Sequence, residues 1–225
     1  MDTDPLNLIL ENDHPLKKRI VIFSVIFGAA ILWAAFFDPF YIRVLRYYPR
    51  PDNPGLNLLL KHVFVFGMSN FLFCLACLYI LTRYKIFRKV SCAVTKDSIL
   101  RGFFWGTIVI VFAVSQWLYY GLNFQFDINY WSITGNLFSN FYEEIIFRAF
   151  LIPLFYYLFR NIRPAVFFSS VIFAVVHARY PLFLQLTVFV SGVCFAVSYL
   201  RSKTVFAPWL SHQLVDTILD AILKL

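Results

Sequence analysis

The most informative stretch of the sequence is FYEEIIFRAFLIPLFYYLF, residues 141–159. It is almost wholly apolar, yet it contains the adjacent carboxylates Glu143 and Glu144 and the guanidinium of Arg148. Charged side chains inside a membrane helix are costly, and they usually face the interior of a helical bundle or a water-filled cavity. The stretch therefore predicts a membrane helix with one polar face that other helices cover.

The composition of the whole chain also indicates a membrane protein. Of its 225 residues, 60% are hydrophobic and 14% are charged, whereas about 25% are charged in a typical soluble domain. The net charge of +8 does not point to nucleic acid, because the basic residues fall mostly in short breaks between apolar runs, as the positive-inside rule predicts. The expected environment is a lipid bilayer.

Apolar runs predict an all-α, polytopic transmembrane bundle of about seven spans, since a helix needs roughly 20 residues to cross the hydrocarbon core. We expect one integral-membrane domain over 1–225, with a motif core at about 133–220. The longest breaks are 38–56 and 83–98, and Pro153 should kink or end the helix that contains it. The spans are predicted near 20–37, 57–82, 99–121, 133–159, 163–179, 181–200 and 204–223.

The N-terminal region predicts the orientation. Lys17, Lys18 and Arg19 precede an apolar run that is longer than a signal-peptide core and lacks a following A-x-A site, which favours an uncleaved first span. Most Lys and Arg residues then lie on the same side as the N-terminus, so we expect the N-terminus inside. We expect a multi-pass protein of a bacterial inner membrane.

Polar residues recur every fourth position in the fourth stretch: Asn136, Asn140, Glu144 and Arg148. Residues four apart lie on one face of a helix, so Glu144 can pair with Arg148 within the helix. Glu143 points about 100° away and has no intrahelical cation. One glutamate is therefore predicted to be tied to an arginine and the other to be free.

Two later stretches contain complementary groups. His177 follows Phe173 by four residues, and His212 and Asp216 lie four apart on one face of the last helix. Each alone has a structural explanation: a buried His can join helices, a Glu–Arg pair can lock a helix, and Asp216 can be interfacial. Six ionisable groups gathered within the last four spans are instead typical of a functional site.

These groups suit hydrolysis. A carboxylate beside a neutral imidazole can hold a water molecule and remove its proton, and attack on a peptide carbonyl then needs a donor for the oxyanion, for which His212 is a candidate. This gives amide hydrolysis without a covalent intermediate. The sequence lacks H-E-x-x-H and G-x-S-x-G, which mark other hydrolases.

The ordered set Glu143-Glu144-x-x-x-Arg148, Phe173-x-x-x-His177 and His212-x-x-x-Asp216 resembles the CPBP family. This is the membrane family of type II CAAX prenyl endopeptidases and bacteriocin-processing enzymes, also called the Abi family. The resemblance covers about residues 136–217 and implies a glutamate-dependent intramembrane protease.

The resemblance also implies roles for the individual residues. Glu143 and His177 would activate the water, and His212 and Asp216 would occupy the oxyanion-stabilising positions. Glu144 and Arg148 would shape and support the site. The family often has Asn where this chain has Asp216, and a carboxylate donates a hydrogen bond only when protonated. Asp216 could instead orient His212 or share a proton.

Other readings use the same residues. Two Glu and two His could ligate zinc, although they fit no standard zinc spacing, so no cofactor is expected. A non-catalytic immunity or scaffold protein that binds a peptide or partner in the membrane is the main alternative. The expected substrate is a peptide, a bacteriocin precursor or a membrane-protein tail, and the sequence assigns no oligomeric state.

The predicted depths of the two histidines conflict. His177 lies near the outer end of its predicted span, and His212 lies nearer the inner end of the last one. If both meet Glu143, either a span boundary is misplaced by several residues or a helix is broken.

Overall fold

The computed structural model describes residues 14–45, 52–65, 67–86, 90–121, 125–126, 128–178, 181–219 and 223–224. Almost all of the described chain is helical, as predicted; the exceptions include two antiparallel two-residue strands, Gln125–Phe126 (β1) and Leu223–Lys224 (β2). The helices are α1 (Leu16–Leu32), a first π-helix (Trp33–Phe37), α2 (Asp38–Leu45), α3 (Pro54–Phe64), α4 (Met68–Arg83), α5 (Lys96–Tyr119), α6 (Tyr130–Glu144), a second π-helix (Ile145–Leu151), α7 (Ile152–Phe159), α8 (Ile162–Val176), α9 (Leu182–Ser202) and α10 (Phe206–Leu219).

Within the described residues, four helical segments are long and apolar enough to cross a membrane. They are Leu16–Tyr41, Pro54–Arg83, Lys96–Tyr119 and Leu182–Ser202. The polytopic membrane bundle is thus confirmed, while the count of about seven spans remains approximate because α8 and α10 are short. Large apolar side chains on the outer faces of these segments are exposed, as a lipid environment favours.

The structure differs from the predicted spans at three places. The break predicted to start at residue 38 is helical as far as Leu45, because the first π-helix continues α1 into α2; residues 46–51 lie outside the described part. The predicted span 57–82 consists of two helices, α3, which ends at Phe64, and α4, which begins at Met68. Gly67 directly precedes α4, and its φ of +100° lies in the region that favours glycine. The last helix ends at Leu219 rather than at 223.

Pro153 changes the helix in which it lies without ending it. α6, the second π-helix and α7 follow one another without a break from Tyr130 to Phe159. Proline lacks an N–H and its ring clashes with the carbonyl four residues earlier. The wider π-helical turn lies immediately before α7 and accommodates both defects. Pro153 therefore does not end the helix, and a seven-residue π-helix that contains Arg148 precedes it.

A tight turn at Arg160 and Asn161 pairs α7 with α8. Arg160 has a left-handed backbone (φ +52°) that ends α7, and the Asn161 side chain accepts the N–H of Arg163 and so caps α8. Glu144 lies sixteen residues before Arg160, and His177 lies sixteen residues after Asn161. An antiparallel hairpin therefore brings Glu144 and His177 to the same level.

The length of α8 resolves the conflict in depth. Its 15 residues span only about 22 Å at 1.5 Å per residue, less than the roughly 30 Å of the hydrocarbon core. A helix of this length that starts at one membrane surface ends inside the core, and His177 directly follows its last residue. The predicted boundary at 179 was too late, and His177 and His212 can meet.

A close contact between α5 and α10 fixes one side of the last helix. Gly102 and Gly106 lie four apart on α5, and a methyl group at Gly106 would lie 3.0 Å from the backbone oxygen of Ser211. The Ser211 hydroxyl donates to the carbonyl of Gly102 over 2.9 Å. Small residues four apart allow such close packing of membrane helices, and here they bring α5 against Ser211 of α10, the residue that precedes His212.

We expect Gly106→Leu to destabilise the protein because the added side chain would meet backbone rather than a movable side chain. Overpacking of this kind costs about 1–3 kcal/mol, which thermal unfolding in detergent would show as a lower midpoint. Gly28→Leu on α1 is the matched control, since nothing lies within 4 Å of a methyl group at Gly28. Equal midpoints for the two variants would contradict the close contact.

Candidate active site

Four segments supply the six predicted residues. Glu143 and Glu144 end α6, and Arg148 lies in the second π-helix. His177 directly follows α8, while His212 and Asp216 lie on α10. The structure brings these residues together in two groups that share Phe173.

Glu144 is the centre of the first group. Its side chain is fully buried, and its Oε2 lies 3.1 Å from Nε of Arg148, so the predicted intrahelical pair is present. Its other oxygen, Oε1, lies 2.8 Å from Nδ1 of His212 on α10. Because an ionised carboxylate only accepts hydrogen bonds, Nδ1 of His212 carries the proton in this contact.

Arg148 is buried among aromatic rings. Its guanidinium carbon lies 4.5 Å from the ring centre of Phe173, 5.4 Å from that of Phe195 and 5.7 Å from that of Phe147. Ring faces attract a cation, and more strongly where water is excluded. These rings and Glu144 together compensate a guanidinium that is only 1% exposed.

Glu143 and His177 form the second group, across two helices. Oε2 of Glu143 lies 3.9 Å from Nε2 of His177, and about a fifth of each side chain is exposed. Nδ1 of His177 lies 2.7 Å from the carbonyl oxygen of Phe173. Since that oxygen can only accept, Nδ1 is the donor, and Nε2 is the ring nitrogen that faces Glu143.

Asp216 lies beside the other nitrogen of His212. Its Oδ2 is 3.7 Å from Nε2, and about a fifth of its side chain is exposed. This separation allows an ion pair but is too long for a direct hydrogen bond. The nitrogen of His212 that faces Asp216 is thus available to a third group.

Phe173 connects the two groups. Its ring centre lies 4.8 Å from that of His177 and 5.7 Å from that of His212. The ring of Phe195 stacks on His212 at 4.9 Å. Both imidazoles therefore contact one phenylalanine, and the six predicted residues form one site.

Some neighbours of the site did not emerge from the sequence patterns. Phe195 stacks on His212 but is one of 28 phenylalanines in the chain, so no local signal distinguishes it. Gln213 was detectable in principle: it is an amide within an apolar helix, next to His212, and it bonds to Asn140 on α6.

The part of the chain that the structure describes contains no group of three or more His, Cys, Asp or Glu side chains placed to hold a metal ion. Cys74 and Cys77 are free thiols; Cys74 is buried and Cys77 half-buried, and both pack in the apolar core.

Residues 125–218 match the family model described as "Type II CAAX prenyl endopeptidase Rce1-like". No curated protein and no solved structure matches the chain. The matched segment contains all six site residues, and the family supports a CAAX-protease-like peptidase of the membrane that acts on a peptide or protein. Residues 125–218 are thus similar to the type II CAAX prenyl endopeptidase Rce1-like family, in agreement with the family resemblance of the three ordered motifs.

Proposed function

We propose that the protein is an intramembrane endopeptidase that hydrolyses a peptide bond with a water molecule activated by Glu143 and His177. The single observation that carries the proposal is the 3.9 Å separation of Oε2 of Glu143, on α6, and Nε2 of His177, which directly follows α8. In the proposal His177 is neutral, so both atoms are acceptors. A polar separation of this length suits a bridging water, which would donate one hydrogen to each acceptor.

The reaction follows from that arrangement. A water that donates both hydrogens directs its lone pairs away from Glu143 and His177, toward a substrate carbonyl. As its oxygen bonds to the carbonyl carbon, one proton passes to Glu143. The same proton then moves to the amide nitrogen as the carbon–nitrogen bond breaks, which gives a carboxylic acid and an amine without a covalent intermediate.

His212 is proposed to stabilise the oxyanion. Nδ1–H of His212 is held by Glu144, so only Nε2 can reach a substrate. A doubly protonated His212 would balance the charges of Glu144, Arg148 and Asp216, and Nε2–H would then donate to the oxyanion. In this scheme Asp216, 3.7 Å away, supports the proton on Nε2 by its charge, while Glu144 orients the ring.

The substrate is proposed to be an apolar peptide, such as a precursor peptide or a membrane-protein tail. Val175 and Val176, which immediately precede His177, are each about three-fifths exposed. An apolar segment in the bilayer could therefore lie directly beside the proposed water-activating pair. The family description also names prenyl endopeptidases, and a lipidated peptide would fit the same apolar surroundings.

We expect Glu143→Gln to slow cleavage about 10²- to 10⁴-fold, the usual contribution of a general base, because an amide cannot take the proton. The measurement is cleavage of internally quenched apolar peptides, first screened as a library against the unaltered protein in lipid vesicles. Mass spectrometry of the products would locate the cut.

The matched control for this change is Asp97→Asn, another carboxylate-to-amide replacement, which removes an exposed partner of Arg101 far along the chain. It should leave the cleavage rate unchanged. Cleavage by Glu143→Gln at the full rate would refute the mechanism. If Glu143→Gln also kept a cellular phenotype that depends on this protein, the non-catalytic immunity or scaffold role would be favoured.

We propose further that the reaction needs no metal. Support comes from Glu144, both of whose oxygens are already engaged by Arg148 and His212, so zinc would have to displace one of them. The expected result is an unchanged cleavage rate after incubation with a strong zinc chelator. Loss of activity that added zinc restores would favour the metal-dependent alternative.

We propose that the N-terminus faces the cytoplasm of a bacterial cell. The start of α1 lies beside the end of α7, because Arg19 donates to the carbonyl of Leu158 over 3.1 Å. The turn between α9 and α10 lies beside the segment before α5, because the Thr204 hydroxyl donates to the carbonyl of Ala93 over 3.0 Å. These helix ends hold a set of exposed cations that suits the inner leaflet: Lys17, Lys18, Arg83, Lys85, Lys96, Arg163, Arg201 and Lys203.

Cysteine labelling in intact cells would test this orientation. With the four natural cysteines replaced by serine, Lys203→Cys should resist a membrane-impermeant maleimide and Asp52→Cys should react. Asp52 is the reference because it is exposed and directly precedes the N-cap of α3, at the opposite predicted end. The reverse pattern would invert the topology.

A further inference from the structure

Beside the proposed oxyanion histidine, α10 is joined to α6 by a row of hydrogen bonds that the reaction scheme does not use. We call this row the α6–α10 seam; it comprises Trp209 and Gln213 on α10 with Ile133, Leu137 and Asn140 on α6. Trp209 Nε1 donates to the carbonyl of Leu137 over 3.0 Å. Gln213 Nε2 donates to the carbonyl of Ile133 over 3.1 Å.

Gln213 is the most fully bonded residue of the seam. Its Oε1 accepts from Nδ2 of Asn140 over 3.2 Å, and Nε2 also reaches the hydroxyl of Thr217 at 3.2 Å. Gln213 and Asn140 are 8% and 2% exposed. A buried amide that loses its partners costs free energy, so this side chain strongly favours one placement of α10 against α6.

The seam and the charged contact are consecutive links between the same two helices. Asn140 and Glu144 lie one turn apart on α6, and their partners Gln213 and His212 are adjacent on α10. Neighbouring residues of a helix point about 100° apart. A rotation of α10 that broke the link at Gln213 would therefore also turn His212 away from Glu144.

The other neighbours of His212 cannot perform this task. Phe195 and Phe173 contact its ring by apolar surface, which resists rotation little. Ser211 ties α10 to Gly102 of α5, on a different helix from Glu144. Among the described residues around His212, Gln213 is the one whose side chain bonds both to a side chain and to the backbone of α6.

We propose that Gln213 is a positioning residue for His212. Through Asn140 and the carbonyl of Ile133 it fixes the rotation and depth of α10, and so holds the His212 ring against Glu144. The consequence for cleavage rests on the proposed function, because it assumes that Nε2 of His212 stabilises the oxyanion. The structural part, the position of the ring, does not depend on any activity.

The test compares Gln213→Leu with Gln116→Leu. Gln116 is a matched control because it is also a glutamine of a membrane helix. Its Nε2 donates to the backbone carbonyl of Phe183 over 3.0 Å, and its Oε1 accepts from the hydroxyl of Thr187. It joins α5 to α9 and does not touch His212. Both variants lose a glutamine that joins two segments, so both should lose thermal stability to a similar degree.

The first readout is the ¹⁵N spectrum of the histidine rings of the protein in lipid nanodiscs. The chain has four histidines, and His212→Gln would identify the signals of His212. Gln213→Leu should shift or broaden those signals and leave those of His177 in place, whereas Gln116→Leu should change neither. Asn140→Leu should reproduce the shift, and the double variant Asn140→Leu with Gln213→Leu should add nothing to it.

The second readout is cleavage of the peptide selected with the unaltered protein. Gln213→Leu should lower kcat about 10- to 100-fold, the size expected when a reacting group is displaced by about 1 Å, with KM changed less than about twofold. Gln213→Glu, which keeps the acceptor for Asn140, should restore part of kcat and can replace Gln213→Leu if that variant does not fold.

The two readouts separate the proposals. Unchanged His212 signals in Gln213→Leu would overturn the positioning role, whatever happens to cleavage. Shifted signals with an unchanged kcat would support the positioning role and overturn the oxyanion role of His212. An equal loss of kcat in Gln213→Leu and Gln116→Leu, without a shift of the His212 signals in either variant, would show that Gln213 contributes only to general helix packing.

Discussion

The arrangement of the site depends on the contacts that the buried carboxylate of Glu144 makes with Arg148 and His212. The chain offers an internal comparison: Asp97 and Arg101 have the same spacing on α5, yet more than half of Asp97 is exposed, and such surface pairs contribute little. Glu144 and Arg148 are almost completely buried. Removing one charge of a buried pair leaves the other uncompensated, which costs several kcal/mol. The fold must therefore keep Arg148, Glu144 and His212 in contact, and that requirement joins α6, the second π-helix and α10.

Short helices explain how such a polar cluster can exist within a bilayer. A helix that crossed the whole hydrocarbon core would carry its end groups into the headgroups. α8 and α10 have only 15 and 14 residues, so functional groups at the end of α8 and in the middle of α10 share one level. The second π-helix also stabilises the polar cluster, because it directs Arg148 toward three aromatic rings. These rings replace water around the guanidinium charge of Arg148.

Sequence periodicity predicted the features that lie within one helix. The four-residue spacing identified the Glu144–Arg148 pair, and the ordered motifs identified the residues that meet in the site. Contacts between helices were less accessible: nothing in the chain's periodicity pairs Glu144 with His212, because that contact depends on how α10 rotates against α6. The sequence patterns also missed the π-helical form of residues 145–151 and the helix break at Gly67. Both depend on local backbone geometry, which the spacing of hydrophobic residues does not report.

Two adjacent glutamates thus have different surroundings because neighbouring helical side chains diverge by about 100°. Glu144 points into the bundle, where both of its oxygens bind cationic or donor groups. Glu143 points to the end of α8, where it remains partly exposed and its Oε2 lies 3.9 Å from Nε2 of His177. A base must be free to take a proton, whereas an anchor must keep its partners. In the proposed mechanism one helix turn serves both needs only if the anchor is rigid, and the α6–α10 seam is proposed to supply that rigidity one turn away.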